Sequence, residues 1–300
     1  MLLDFIDKRI RKAFSDAAYE YDLLTSLHKE IGRELIKKVI PLEANDAILD
    51  IGMGTGWLTS RLKFYFPESK VIGLDFADGM LEVASKYEDL QLIQANALNL
   101  PFKRSSFDLA VSNLSLQWAS SLNNCFQSIH HSLKDQGQVH LTMFGQQTFK
   151  ELFLSLEEAT RIQKAGAELH LKRLYSKEEV GHALQAAGFK QIKVDHELIK
   201  VHFADMVRLM KWIKDIGANN FSNQVFLGKE LLSLANEHYE NNFKDKFGIT
   251  TTFEVVWAQG QKWKRPGYFL SPPRTQVSAR AWRRWRSRDF LRNAACASDT

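Results

Sequence analysis

Only two of the 300 residues are cysteine, Cys125 and Cys296, and their separation gives neither a metal-binding nor a redox spacing. Long uncharged apolar runs are missing and the mean hydropathy is −0.28, which argues against a membrane-spanning helix. The opening MLLDFIDKRIRKAF is charged from position 4 onward and lacks the apolar core of a secretory signal. A reduced, cytoplasmic compartment is therefore expected. Nor does the chain offer a Ser-His-Asp, Cys-His or metal-ligating constellation. His130 and His131 are adjacent, so on a helix they point different ways and make a poor metal pair.

The net charge of +5 is unevenly spread. Residues 274–300 hold seven Arg, no Lys and two Asp, while residues 1–273 carry 33 basic and 33 acidic side chains. The body uses 24 Lys to nine Arg, whereas the tail uses arginine alone. That change of composition marks TQVSARAWRRWRSRDFLRNAACASDT as an end foreign to the fold and expected to be disordered. A Trp/Arg-rich arm could also bind nucleic acid or anionic lipid. With the body neutral, neither nucleic acid nor a membrane is an expected partner.

Apolar residues recur in steps of three and four at Ile10, Phe14, Ala17, Tyr21, Leu24, Leu27, Ile31, Leu35 and Val39. They mark one buried helical face over residues 8–40, closed by Pro41. AILDIG, KVIGLD, LQLIQAN, FDLAVSN and QVHLTMFG read as strands. Helices are expected between them, from about Leu58 to Phe66, from Gly79 to Lys86 and over LNNCFQSIHHSL, with KDQG as a turn. Short apolar runs alternating with helices imply a doubly wound α/β fold, a parallel sheet with helices on both faces. Further helices are expected at 149–164, 176–187, 204–216 and 228–242, with strands at 189–203 and 249–260. The division is a helical lid over 1–40, the α/β domain over 41–260 with substrate-side helices at about 146–246, and a tail over 261–300.

Three glycines, Gly52, Gly54 and Gly56, follow the first strand in ILDIGMGTGW, just behind Asp50. A bare turn there lets a ligand approach the backbone and aims a helix N-terminus at it. Dinucleotide sites use G-x-G-x-x-G, but Trp57 occupies the place of the last glycine, so a pyrophosphate is not indicated. Asp75 ends the second strand, where an acid accepts both ribose hydroxyls. An adenosine with intact hydroxyls is indicated.

At LDIGMGTGW, VIGLDFADGML and QANALNLPFKRSSFDLAVSN the chain resembles the class I S-adenosylmethionine-dependent methyltransferases, with their Rossmann-like sheet. The resemblance implies that Asp50 with Gly52, Gly54 and Gly56 holds the methionine moiety and that Asp75 holds the ribose. It implies further cofactor contacts at Phe76, Asn96, the Ala97 backbone and Asn113. Many members carry Asp at the position of Asn96, which accepts a hydrogen bond but brings no charge. No metal is implied.

The likeness narrows at AFSDAAYEYDLLTSLHKEI, SNLSLQW, TMFGQQTFKEL, LKRLYSKEEV and MKWIKDIGANNF, and it covers residues 8–260 or so. There the chain is similar to the malonyl-acyl-carrier-protein O-methyltransferases of biotin synthesis. This resemblance implies methyl transfer to the free carboxylate of a malonyl thioester on acyl carrier protein. A carboxylate is ionised at neutral pH and needs no general base, which accords with the missing catalytic constellation. Arg173 in HLKRL is the implied anion contact, to one oxygen so that the other stays nucleophilic. Tyr21, on a helix expected to lie over the cofactor, and Gln117 and Trp118, beyond the fourth strand, complete the expected catalytic group. Where this chain has His28, relatives within the family it resembles carry Gln. Lysines scattered over 190–214 could steer an acidic carrier protein. Mitochondrial respiratory-complex assembly factors share the SNLSLQW-like and MFG-like stretches, and keep open the alternative of a protein partner bound or modified at an arginine; a methyltransferase for another small carboxylate is the other alternative.

Overall fold

The computed structural model describes residues 2–40, 47–163, 173–218 and 228–263. Strand β1 (Ala47–Ile51) is flanked on one side by β2 (Lys70–Asp75) and on the other by β4 (Phe107–Asn113), all parallel. β3 (Gln91–Gln94) pairs with β2, and β5 (Leu133–Phe144) with β4, again in parallel. Two long strands then add antiparallel, giving the order β3-β2-β1-β4-β5-β8-β6, with β6 at Phe189–Phe203 and β8 at Gly248–Lys262. A two-residue β7 (Lys244–Asp245) pairs with the start of β8. The winding reverses at β1, and in such sheets the crevice beyond the carboxyl ends of the strands at that point is the natural ligand site.

The helices are α1 (Leu2–Leu24), α2 (Ser26–Val39), α3 (Trp57–Tyr65), α4 (Asp78–Ala84), α5 (Leu122–Ser132), α6 (Lys150–Ile162), α7 (Lys177–Ala186), α8 (Met206–Asp215) and α9 (Lys229–Phe243). β1 and β2 are buried almost throughout because both faces are covered, so they read as continuous apolar runs. Successive residues split between the faces, as strand geometry requires. Leu49, Ile72 and Ala110 join the core with Phe126 of α5 and Leu184 of α7, while Ile48, Val71 and Leu109 meet Leu35 of α2 and Leu62 of α3. A further cluster unites α6, α8 and α9 with β8 through Leu156, Leu209, Tyr239 and Phe253. The α/β sheet and helices thus follow the expected order, and Gly188 lies in the left-handed region just after α7.

Three details differ from expectation. The amphipathic stretch over 8–40 is two helices, not one. Thr25 has φ −113° and ψ 42°, and its hydroxyl donates back to the Tyr21 carbonyl at 2.6 Å, a side-chain bond that competes with the helix ladder. KDQG belongs to β5: Leu133 pairs with Phe107 and Gln138 with Leu109, so the residues between form a bulge, with Gln136 at φ 67°. β8 runs to Lys262, two residues into the expected tail. Pro41 and residues 264–300 lie outside the described residues. No helix among the described residues is long and apolar enough to cross a membrane.

α1 lies along α4. Arg11 Nε and Ser15 Oγ both donate to Asp78, at 3.2 and 2.9 Å, and Ala18, Ala77 and Met80 pack between the helices. The approach is close because residue 79 is glycine: an added Cβ would lie 2.3 Å from the Ser15 carbonyl oxygen. Gly79→Ala should therefore loosen α1 without unfolding the sheet. By hydrogen exchange, amides of residues 7–24 should exchange about tenfold faster while β1 and β4 keep wild-type protection. Uniform loss of protection would contradict the latch.

Candidate functional site

β1 ends at Ile51, and the chain turns back over the end of β2. Gly52 N–H donates to the Leu74 carbonyl at 2.7 Å and Met53 N–H to the same oxygen at 3.0 Å. Gly52 takes φ 69°, and a Cβ there would sit 1.7 Å from Ser115 Oγ, so both backbone and space demand glycine. Gly54 N–H donates to Asp75 Oδ2 at 2.9 Å, and Ala77 N–H to Asp75 Oδ1 at 2.8 Å. Burial raises the pKa of the Asp75 carboxyl, and these N–H groups oppose the rise. Gly56 caps α3 at φ 82°; a Cβ there would crowd Ala84 at 3.1 Å. The three glycines thus serve a close approach, a donor to Asp75 and helix packing in turn.

Two recesses open at this turn, and Gly52 lines both. One is bounded by Ile10 of α1, Asp75, Phe76, Asn96, Ala97 and Trp118. The other is bounded by Tyr21, His28, Asp50, Gly54, Trp57 and Asn113. In the second recess Asp50 is fully buried; Thr59 Oγ1 donates to its Oδ2 at 2.7 Å, while Oδ1 has no partner among the described residues. Burial pushes its pKa up to about 7. Asn113 ties α2 to the end of β4: its Nδ2 donates to the His28 carbonyl at 3.0 Å, and its Oδ1 accepts from Thr142 Oγ1 at 2.8 Å. Burial, with the Asp75 and Asp22 carboxylates, raises the Tyr21 pKa and keeps the hydroxyl protonated. Burial alone lowers the pKa of His28 to about 4, so the ring is neutral at physiological pH.

Of the residues singled out from the sequence, Asp50, Gly52, Gly54, Asp75, Phe76, Asn96, Ala97 and Asn113 all line these two recesses, as do Tyr21 and Trp118. Asn96 Oδ1 accepts from Leu98 N–H at 3.0 Å, which shapes its loop. Three expected residues lie elsewhere. Gly56 is committed to packing α3 against α4. Gln117 turns its amide back on its own turn, donating from Nε2 to the Leu114 carbonyl at 2.7 Å. Arg173 is on the surface, with its guanidinium 3.3 Å from Glu179.

Other residues emerge only from the fold. Asp22 accepts from Thr55 Oγ1 at 2.6 Å and so fastens α1 to the glycine turn. Ser115 fills the space that Gly52 leaves. Trp57, the indole that breaks the dinucleotide pattern, is flanked by the guanidinium carbons of Arg33 and Arg61 at 5.6 and 4.1 Å from its ring centre. Gly32 makes room for it, since a Cβ there would stand 2.9 Å from the indole. An isolated glycine inside an amphipathic helix was the available signal.

The donor set suits an adenosine joined to an amino acid. Asp75 accepts from the Gly54, Ala77 and Phe76 N–H groups, and the acceptor capacity it has left suits a ribose hydroxyl. The bare Oδ1 of Asp50 faces the opposite need: a buried carboxylate oxygen without a partner is matched by a cationic amine. Among the described residues no group of three His, Cys, Asp or Glu side chains is arranged to hold a metal ion.

Residues 49–141 match the methyltransferase domain family. The malonyl-acyl-carrier-protein O-methyltransferase of Geobacter sulfurreducens is 30% identical over 267 residues, which cover 86% of this chain and 100% of that protein. The human mitochondrial arginine-hydroxylase NDUFAF5 is 28% identical over 261 residues, 85% of this chain and 75% of that protein. In fold, the YcgJ protein of Bacillus subtilis superposes with a TM-score of 0.56 at 19% identity, over 78% of this chain and 98% of that one.

Asp50 yields a test that needs no ligand. Its carboxyl loses its proton near 3.8 when unfolded and near 7 when folded. Between those values the folded state binds more protons, so this group's contribution to stability falls as pH rises from about 4 to 7 and is constant above. Asp50→Asn removes that fall. Thermal melts of the ligand-free protein at pH 5 and pH 8 should show a larger drop in Tm for the wild type than for the variant. Parallel drops would contradict the buried, unpaired carboxyl.

Proposed function

We infer the acceptor of this enzyme from a premise about its kinship: the chain belongs to the malonyl-acyl-carrier-protein O-methyltransferases, a family of S-adenosylmethionine-dependent methyltransferases. The proposed reaction is methyl transfer to the free carboxylate of a malonyl thioester borne by acyl carrier protein. The observation that carries the cofactor half of this reading is the pair of recesses joined at Gly52. Asp75 beneath one of them fits the ribose, with Phe76, Asn96 and the Ala97 backbone around the adenine. Asp50 in the other fits the amino group of the methionine end. A cation beside Asp50 would also hold it ionised, against the upward push of burial.

When bound, S-adenosylmethionine supplies a methyl already activated by its sulfonium charge. A carboxylate oxygen forms the new O–C bond as the S–C bond breaks, its electron pair returning to sulfur, and no proton moves. The protein's work is then to align the two atoms and keep water out. Gly52 lies where the two recesses meet, Tyr21 and Asn113 wall the recess proposed for the methionine end, and Trp118 lines the one proposed for the adenosine. Arg173 is proposed to meet the anionic acceptor after parting from Glu179, a change that costs little for an exposed pair.

The test is intact mass of malonyl-acyl carrier protein after incubation with enzyme and S-adenosylmethionine, beside acetyl-acyl carrier protein. A gain of one methyl on the malonyl form alone is expected, because the acetyl control has no free carboxylate. No gain, with S-adenosylmethionine binding shown separately, would turn the reading to a protein partner, as the likeness to NDUFAF5 suggests. In the same assay Arg173→Ala should lower malonyl transfer about tenfold or more while leaving cofactor binding intact. Unchanged transfer would remove Arg173 from the acceptor site.

A further inference from the structure

His28 lines the recess assigned to the methionine end, and its Nδ1, like Asp50 Oδ1, is buried without a partner among the described residues. His28 is only 8% exposed. Its ring is caged by aromatics, edge-on to Tyr21 at 5.9 Å and to Phe144 at 5.4 Å, and tilted against Trp212 at 6.4 Å. The Asn113 bond to its carbonyl fixes this point of α2 at the end of β4. Phe144 and Trp212 belong to the apolar cluster built by α6, α8, α9 and β8, whereas Asp50 and Gly54 belong to the glycine turn. The imidazole therefore stands at the seam between the methionine recess and the apolar part of the molecule beyond it.

We propose that His28 is an acceptor-contact residue whose imidazole N–H donates to one oxygen of the carboxylate being methylated, leaving the other oxygen free to attack. This rests on the carboxylate reading above. A neutral imidazole has one donor and one acceptor nitrogen, and burial holds His28 in that form. As a neutral donor it orients the anion without adding a second positive charge to the contact proposed for Arg173, so the attacking oxygen keeps its nucleophilicity. The surrounding rings fix the direction of that donor and exclude competing water. A buried nitrogen without a partner is costly, and an acceptor oxygen would satisfy it.

Three enzymes test the assignment: wild type, His28→Phe, which keeps an aromatic ring but no donor, and His28→Gln, which restores an N–H. Each is assayed for S-adenosylmethionine affinity by calorimetry and for transfer to malonyl-acyl carrier protein by intact mass. His28→Phe should bind S-adenosylmethionine within about twofold of wild type and lose roughly ten- to a hundredfold in kcat/KM, the scale of one hydrogen bond to a charged group. His28→Gln should recover most of that loss. Should the Phe variant not fold, His28→Met supplies another side chain without a donor. Wild-type turnover by the donor-free variant, equal loss in the Phe and Gln variants, or a parallel loss of cofactor affinity would each overturn the proposal. A wild type inactive on the malonyl carrier is a different failure. It sinks the acceptor reading itself, and His28's role with it, before any variant is compared.

Discussion

The Asp75 carboxylate is the constraint on which the cleft depends. With one oxygen 2.9 Å from Gly54 N–H and the other 2.8 Å from Ala77 N–H, it joins the glycine turn to the start of α4 at the end of β2. With the Phe76 N–H, those two bonds hold in place a buried carboxylate that lines the recess. The turn in turn sets the direction of α3, and α4 gives α1 its seat through Asp78 and Gly79. A carboxylate placed to bind a ligand thus also organises the protein that surrounds it.

The cover of the cleft follows from how the first forty residues are divided. α1 contributes Ile10 to one recess and Tyr21 to the other, so a single helix walls both. It is held by exposed polar pairs to Asp78, by the Asp22–Thr55 bond at the glycine turn, and by Ile10 and Ala18, which are buried. α2 is held differently, by buried Ile31, Leu35 and Val39 and by the Asn113 bond. The break at Thr25 separates the helix that walls both recesses from the one tied to Asn113.

Much of this was legible in the sequence because it is local. Strands such as KVIGLD carry their burial on their face, and the spacing from the glycines to Asp75 follows from one β-α-β unit. Whether a glycine serves a ligand or a neighbour is not local: Gly52 answers to Ser115, sixty-three residues on, and Gly56 to Ala84. Thr25 looks like any helix residue until its hydroxyl bonds back to Tyr21. Arg173 and Gln117 are chemically fit for an acceptor site, but their partners, Glu179 and the Leu114 carbonyl, come from the local chain path. His28 is the converse case, an unremarkable histidine in an amphipathic helix until three aromatic rings from separate elements close around it.

The claim that carries the rest is that one ligand spans both recesses across Gly52. A crystal structure with S-adenosylhomocysteine tests it directly. The predicted result has the ribose hydroxyls on Asp75, the adenine beside Asn96 and Ala97, the sulfur over Gly52 and the amino group on Oδ1 of Asp50. A ligand held wholly within one recess, with Asp50 Oδ1 still bare, would contradict the account.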